Sequence, residues 1–129
     1  MMSKLYLFFV LSIAFHLKHY LCDYVLQSKN MVIKKKSDKW NFFIPLFLHS
    51  CVHGIFTLTI VLWIDKDLWF LAIVDMVVHF LMDRIKSGPR YLGRFHNLDT
   101  SIYWNILGFD QMIHHLTHLY IIYRLVAPL

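Results

Sequence analysis

Hydrophobic residues along the chain fall into four long runs, at 5–22, 42–64, 68–83 and 102–126, separated by short polar stretches. Each run approaches the roughly 20 residues needed to cross a hydrocarbon core, the third being the shortest. In lipid, backbone polar groups must be paired within their own segment, so the runs predict helices. Their expected limits are about 4–23, 42–64, 68–86 and 102–126. The fold class predicted is all-α: a polytopic membrane protein, a single domain over residues 1–129 built as a four-transmembrane-helix bundle. A cleaved signal peptide is the rival for the first run, with Lys4 as its charged start. No small-residue cleavage site follows that run, so it is expected to stay in the protein.

The punctuation agrees. Asp38 and Asn41 offer N-caps for the second helix, and Pro45 falls in its first turn, where a missing N–H costs little. Gly88-Pro89 stops the third helix, and Asp99, Thr100 and Ser101 offer caps for the fourth. Trp40, Trp63, Trp69 and Trp104 all lie at predicted helix ends, as an interfacial aromatic belt places them.

Composition strengthens this picture. The chain is 58% hydrophobic and only 16% charged, too little polar surface to cover a soluble core. Charge then sets the orientation. The first loop carries Lys29, Lys34, Lys35, Lys36 and Lys39, and the third carries Arg84, Lys86, Arg90 and Arg94. By the positive-inside rule these two loops face the cytoplasm and both termini lie outside, in a bacterial inner membrane. Topology and contact with anionic lipid explain such loops without any substrate. Nucleic-acid binding is disfavoured, since no soluble basic domain exists to present a surface. Cys22 and Cys51 have no metal-finger or redox spacing and read as reduced thiols.

The helices also contain residues that lipid disfavours. All eight acidic residues are Asp, and there are nine His. The first helix carries His19 and Asp23, with Gln27 one turn on; the second carries His49 and His53. The third carries Asp75, His79 and Asp83, with Lys86 beyond, and the fourth carries Asp110, His114 and His118. Residues four apart share a helix face, so each helix projects a stripe of imidazole and carboxylate. At about 1.5 Å per residue the four stripes overlap in depth, in the cytoplasmic half of the bilayer. The outer halves, 5–15, 56–63 and 68–74, read as apolar.

Ionisable groups inside a membrane cost a few kcal/mol each on insertion scales and usually mark function. Imidazole and carboxylate together suit Zn, Mn or Fe, and bundle cores often hold two-metal sites. The candidate ligands are His19, Asp23, His49, His53, His79, Asp83, Asp110 and His114, about the number that two divalent ions require. Asp75, His118 and His16 are expected to support them from behind, Asp75 by orienting His79. His115 points away from His114 and reads as a packing residue, and His96 as a solvated loop residue. The competing readings are a hydrogen-bonded His–Asp network that only joins the helices, and a haem held by two histidines, which packed carboxylates suit less well.

Four motifs in register, His19-x-x-x-Asp23-x-x-x-Gln27, the His49/His53 pair, His79-x-x-x-Asp83-x-x-Lys86 and Asp110-Gln111-x-x-His114, resemble domain-of-unknown-function family 3307. The likeness covers nearly the whole chain, although Lys34 to Lys36 and His118 are not part of it. It implies a small multi-pass inner-membrane protein of bacterial or phage type with no established activity. More distantly, the His–Asp helices are similar to inner-membrane proteins regarded as metal-dependent hydrolases, an analogy of pattern only.

The leading expectation is therefore an intramembrane metal-dependent hydrolase acting on a lipid or lipid-linked phosphate or ester at the cytoplasmic leaflet. Asp23, Asp83 and Asp110 are the catalytic candidates, because no Glu exists to serve as base. Gln27, Lys86, Arg90 and Gln111 are the candidates for holding substrate, Lys86 and Arg90 by matching phosphate charge. A metal-ion or proton transporter is the alternative, disfavoured by the apolar outer halves. A small phage-type membrane effector with a structural polar core is the third. Membrane lipids are the expected partners, and a homo-oligomer is compatible with so short a bundle.

Overall fold

The computed structural model describes residues 3–128. Five α-helices account for it: α1 (Lys4–Tyr20), α2 (Lys29–Lys35), α3 (Phe43–Ile64), α4 (Phe70–Ser87) and α5 (Ser101–Val126), with no strand among the described residues. The four long helices match the four apolar runs to within a few residues. The short α2 is an addition: Ser28 caps it, accepting from the backbone N–H of Met31, in a stretch read as a plain basic loop.

α3 packs along α4, α4 against α5, α5 against α1 and α1 against α3, so the long helices close a four-cornered bundle. The Nζ of Lys4, at the start of α1, donates to the carbonyl of Ala127 at 3.3 Å, which places the first and last turns of the bundle at one end. That end is filled by Leu7, Leu11, Phe15, Val61, Leu71, Ile121, Ile122 and Leu125. The opposite end carries the basic loops, with the buried His and Asp between the two.

Local rules explain most boundaries. α4 stops at Gly88, followed by Pro89, and Pro45 sits in the first turn of α3. The expected polar caps do differ. A 3-10 turn, Trp40–Phe42, precedes α3 and no side chain caps it, so neither Asp38 nor Asn41 serves. Thr100 is the cap position of α5, but its hydroxyl donates to the carbonyl of Asn97 instead. α1 runs on into a π-helical turn, Leu21–Val25, which contains Asp23. Such wide turns are rare and concentrate at functional sites.

Two segments are long and apolar enough to cross a membrane, Lys4–Val25 and Trp40–Ile64. α4 and α5 do not meet that measure, because the ionisable residues of their inner faces dilute their hydropathy. Their outer faces are apolar: Ile73, Val77, Leu81, Met112, Leu116 and Leu119 are all exposed. All four tryptophans are exposed near the ends of the long helices. Cys22 and Cys51 are free thiols.

The α3–α4 contact is tight at Gly54. A Cβ there would lie 3.1 Å from the Cβ of Met76 and 3.5 Å from the carbonyl oxygen of Ala72. Gly54→Leu should therefore force the helices apart and cost about 1–3 kcal/mol, whereas Gly54→Ala needs only a small adjustment. Thermal unfolding in detergent checks this: the leucine variant melts well below wild type and the alanine variant close to it. Equal melting of all three would mean that the contact has slack.

Candidate metal centre

The inward stripes meet in layers. Nearest the apolar end lies Asp75, fully buried on α4. Lys18 of α1 donates to its Oδ2 at 2.5 Å, and Thr57 of α3 donates to the same oxygen at 2.5 Å. His79 Nδ1 and His118 Nε2 lie 3.2 and 3.3 Å from Oδ1. Lys18 is itself 3% exposed, so the ammonium neutralises the carboxylate away from water. Asp75, His79 and His118 are close enough together to hold an ion, but the Lys18 ammonium already occupies that role. Lys18 and Thr57, which interrupt runs read as apolar, were both missed from sequence. Each sits two turns or less from a striped His on its own helix, and that was the available signal.

One turn further, His19, Asp23, His53 and His79 offer four ligand atoms that all lie within 4.8 Å of one another. They come from α1, its π turn, α3 and α4. Asp23 lies 3.1 Å from His19 Nε2, 3.2 Å from His49 Nε2 and 2.9 Å from His53 Nε2. Among the described residues it has no ammonium partner. The His53 and His79 rings stack with centroids 3.6 Å apart, and His79 stacks on His114 at 3.9 Å. Each imidazole of the group keeps one ring nitrogen buried and without a hydrogen-bond partner: His19 Nδ1, His53 Nδ1 and His79 Nε2. A buried polar atom left unpaired costs about 1–3 kcal/mol. The other nitrogen of His79 lies against Asp75, the arrangement by which a carboxylate orients a metal-ligating imidazole. A tetrahedral ion with bonds of about 2.0–2.1 Å spaces its donors about 3.3 Å apart, so small side-chain movements suffice. The donor set fits a divalent ion.

The third layer is Asp83, Asp110 and His114. His114 Nε2 lies 3.2 Å from Asp110 and 3.7 Å from Asp83. Here ammonium groups are already in place. Lys35 donates to Asp83 at 2.6 Å, and Lys86 donates to Asp110 at 2.8 Å and to Asp83 at 3.3 Å. Lys35 is 5% exposed, although it was read as one lysine of a basic loop. It reaches inward because α4 anchors the end of α2: Arg84 donates to the carbonyls of Lys35 and Ser37, and Ser87 donates to that of Lys35. His49, the eighth candidate, lies between layers, 3.2 Å from Asp23 and 3.5 Å from Asp83.

The remaining candidates divide. Gln27 lies 3.1 Å from His49 Nε2, and Gln111 bridges His19 and Asp110 at 3.0 and 3.1 Å. Both therefore brace the ligand-type residues and do not face a substrate space. His118 shares the buried face of α5 with Asp110 and His114 and stands one turn deeper, beside Asp75. His16 is exposed, accepts no role behind His19, and stacks on His115 at 5.0 Å; three residues from His19, it turns to the outer side of α1. Arg90 is exposed, beyond the helix-stopping Gly88-Pro89. Lys86 alone of the four lines a cavity, of about 440 Å³, bounded also by Lys36, His96 and apolar side chains.

No curated protein and no solved structure matches the chain. A family does match, over residues 10–129, and the chain belongs to it: the family described as "Protein of unknown function (DUF3307)".

Proposed function

We propose that the protein is a four-helix intramembrane metal protein that binds one divalent ion, Zn, Mn or Fe, at His19, Asp23, His53 and His79. One observation carries this reading: Asp23 is matched only by imidazoles, of His19, His49 and His53, while every neighbouring buried carboxylate has a lysine. Four carboxylates in the three layers face three ammonium groups, which leaves one negative charge for a cation to offset. A second ion at Asp83, Asp110 and His114 would have to displace Lys35 and Lys86, so the charge balance favours one ion over two.

The membrane reading rests on the two apolar spans, the apolar outer faces of α4 and α5, and the tryptophan positions. With the basic loops in the cytoplasm of a bacterial cell, the centre lies on the cytoplasmic side of the apolar end and the termini lie outside. The activity proposed is hydrolysis of a lipid or lipid-linked phosphate or ester. A divalent ion supplies Lewis acidity there, acidifying water and polarising a phosphoryl or acyl oxygen. In this reading His114 moves the proton, a role supported by its stacking on His79 and its contact with two carboxylates. Asp83 and Asp110 hold Lys86 at the cavity, and Gln111 steadies His19.

The protein reconstituted in vesicles with zinc or manganese should release inorganic phosphate or fatty acid from a panel of lipid phosphates and esters. His79→Ala should abolish that release. Metal-loaded protein that turns over none of them, but lets the ion accumulate inside the vesicles, would replace the hydrolase with a transporter.

A further inference from the structure

At the basic end of the bundle, between α2, the end of α4, the loop that follows it and the start of α5, lies the cavity of about 440 Å³. That volume is in the range of small-molecule sites. Its wall is two-natured. Lys36, Lys86 and His96 supply the polar part, and no acidic residue among the described residues lines it. Val32, Leu92, Phe95, Ile106 and Leu107 make an apolar trough beside them. Lys86 connects the cavity to the centre through consecutive contacts: Lys86 to Asp83, Asp83 to His49 and His49 to Asp23. The carboxylates next door, Asp83 and Asp110, are matched by Lys35 and Lys86, so the Lys36 ammonium is positive charge that no contact in this layer offsets.

We infer that this cavity binds an amphiphile bearing an anionic phosphate, with the phosphate at Lys86 and Lys36 and an acyl or prenyl chain along the apolar trough. Lys36, just past the end of α2, and Lys86, on α4, both line the cavity, and lysine ammonium groups pair with phosphate. The trough excludes a free phosphate as the preferred ligand, because its apolar wall contributes only when a chain covers it. The membrane setting supplies such molecules at the same depth. The inference deepens the hydrolase reading by naming its substrate class, and rests on the membrane part of that reading, not on the metal.

The test uses the full chain in neutral detergent. Dioleoyl phosphatidic acid, dioleoylglycerol and inorganic phosphate are each titrated while bound species are counted by native mass spectrometry, with metal content measured on the same samples. Phosphatidic acid is expected to bind at least tenfold more tightly than either of the other two. Lys36→Glu, which reverses an exposed charge, and Leu107→Trp, which fills the trough, should each weaken it at least tenfold with unchanged helical circular dichroism. Equal binding of dioleoylglycerol, or wild-type affinity in both variants, would overturn the inference. Inorganic phosphate binding as tightly as the lipid would overturn its chain half. Selective lipid binding by protein that holds no metal would leave the inference standing and remove the metal centre.

Discussion

In an Asp23→Asn variant, zinc affinity is expected to fall by more than about a hundredfold, with the helices still formed. Residues that only support metal ligands change affinity by about 10–100-fold when replaced. Asp23 is proposed as a ligand, and it touches His19, His49 and His53 at once, so its loss should exceed that range. The amide can still accept from an imidazole N–H, which preserves packing, but it lacks the charge that offsets the cation. Competition with a chromophoric chelator in detergent reads the affinity directly. Asp99→Asn, in the exposed loop before α5, is the matched control and should bind as wild type does. If the two variants hold zinc equally, Asp23 is not a ligand.

Lys18→Met should be the most destabilising single change outside the centre. It leaves Asp75 buried without its ammonium, and breaking one side of a buried pair costs about 3–5 kcal/mol. Thr57, His79 and His118 still surround the carboxylate but carry no fixed positive charge. A loss of that size lowers the melting temperature in detergent by about 10 °C or more. The double variant Lys18→Met with Asp75→Asn removes both charges and should recover much of the loss, since a buried pair replaced whole is often near neutral. A single variant as stable as wild type would mean that Asp75 is neutral in the folded protein. Because Asp75 contacts His79, the single variant should also weaken metal binding, though less than Asp23→Asn does.

The number and limits of the long helices were legible because each is an apolar run bounded by polar residues. The depth of the stripes was legible for a similar reason: four-residue spacing fixes a face, and a constant rise fixes a height. His19, His53 and His79 consequently meet where the spacing put them. What the spacing could not show is the counter-charge. Lys18 looked like a flaw in an apolar run, and Lys35 looked like its neighbours Lys34 and Lys36, yet both are buried against carboxylates. Their placement depends on tertiary contacts, for Lys35 on Arg84 and Ser87 gripping the end of α2. Seven of the eight candidates therefore fall into one imidazole-rich group and one lysine-held group, with His49 between them, where counting ligands alone suggested two ions. The π turn was equally out of reach, since a residue pattern of period 3.6 carries no mark of a single wide turn. His16 lies outside the layers for a related reason: a helix face at three-residue spacing spans too wide an arc to say which neighbour a side chain meets.

The most direct test of the central claim is X-ray absorption at the zinc edge on tag-free protein, purified in detergent, loaded with zinc and dialysed. The account predicts one equivalent of zinc, with about three imidazole nitrogens and one oxygen at about 2.0–2.1 Å. Protein that stays folded and retains no zinc, or a shell of oxygen without imidazole scattering, would contradict it and leave the His–Asp layers as a device that joins helices.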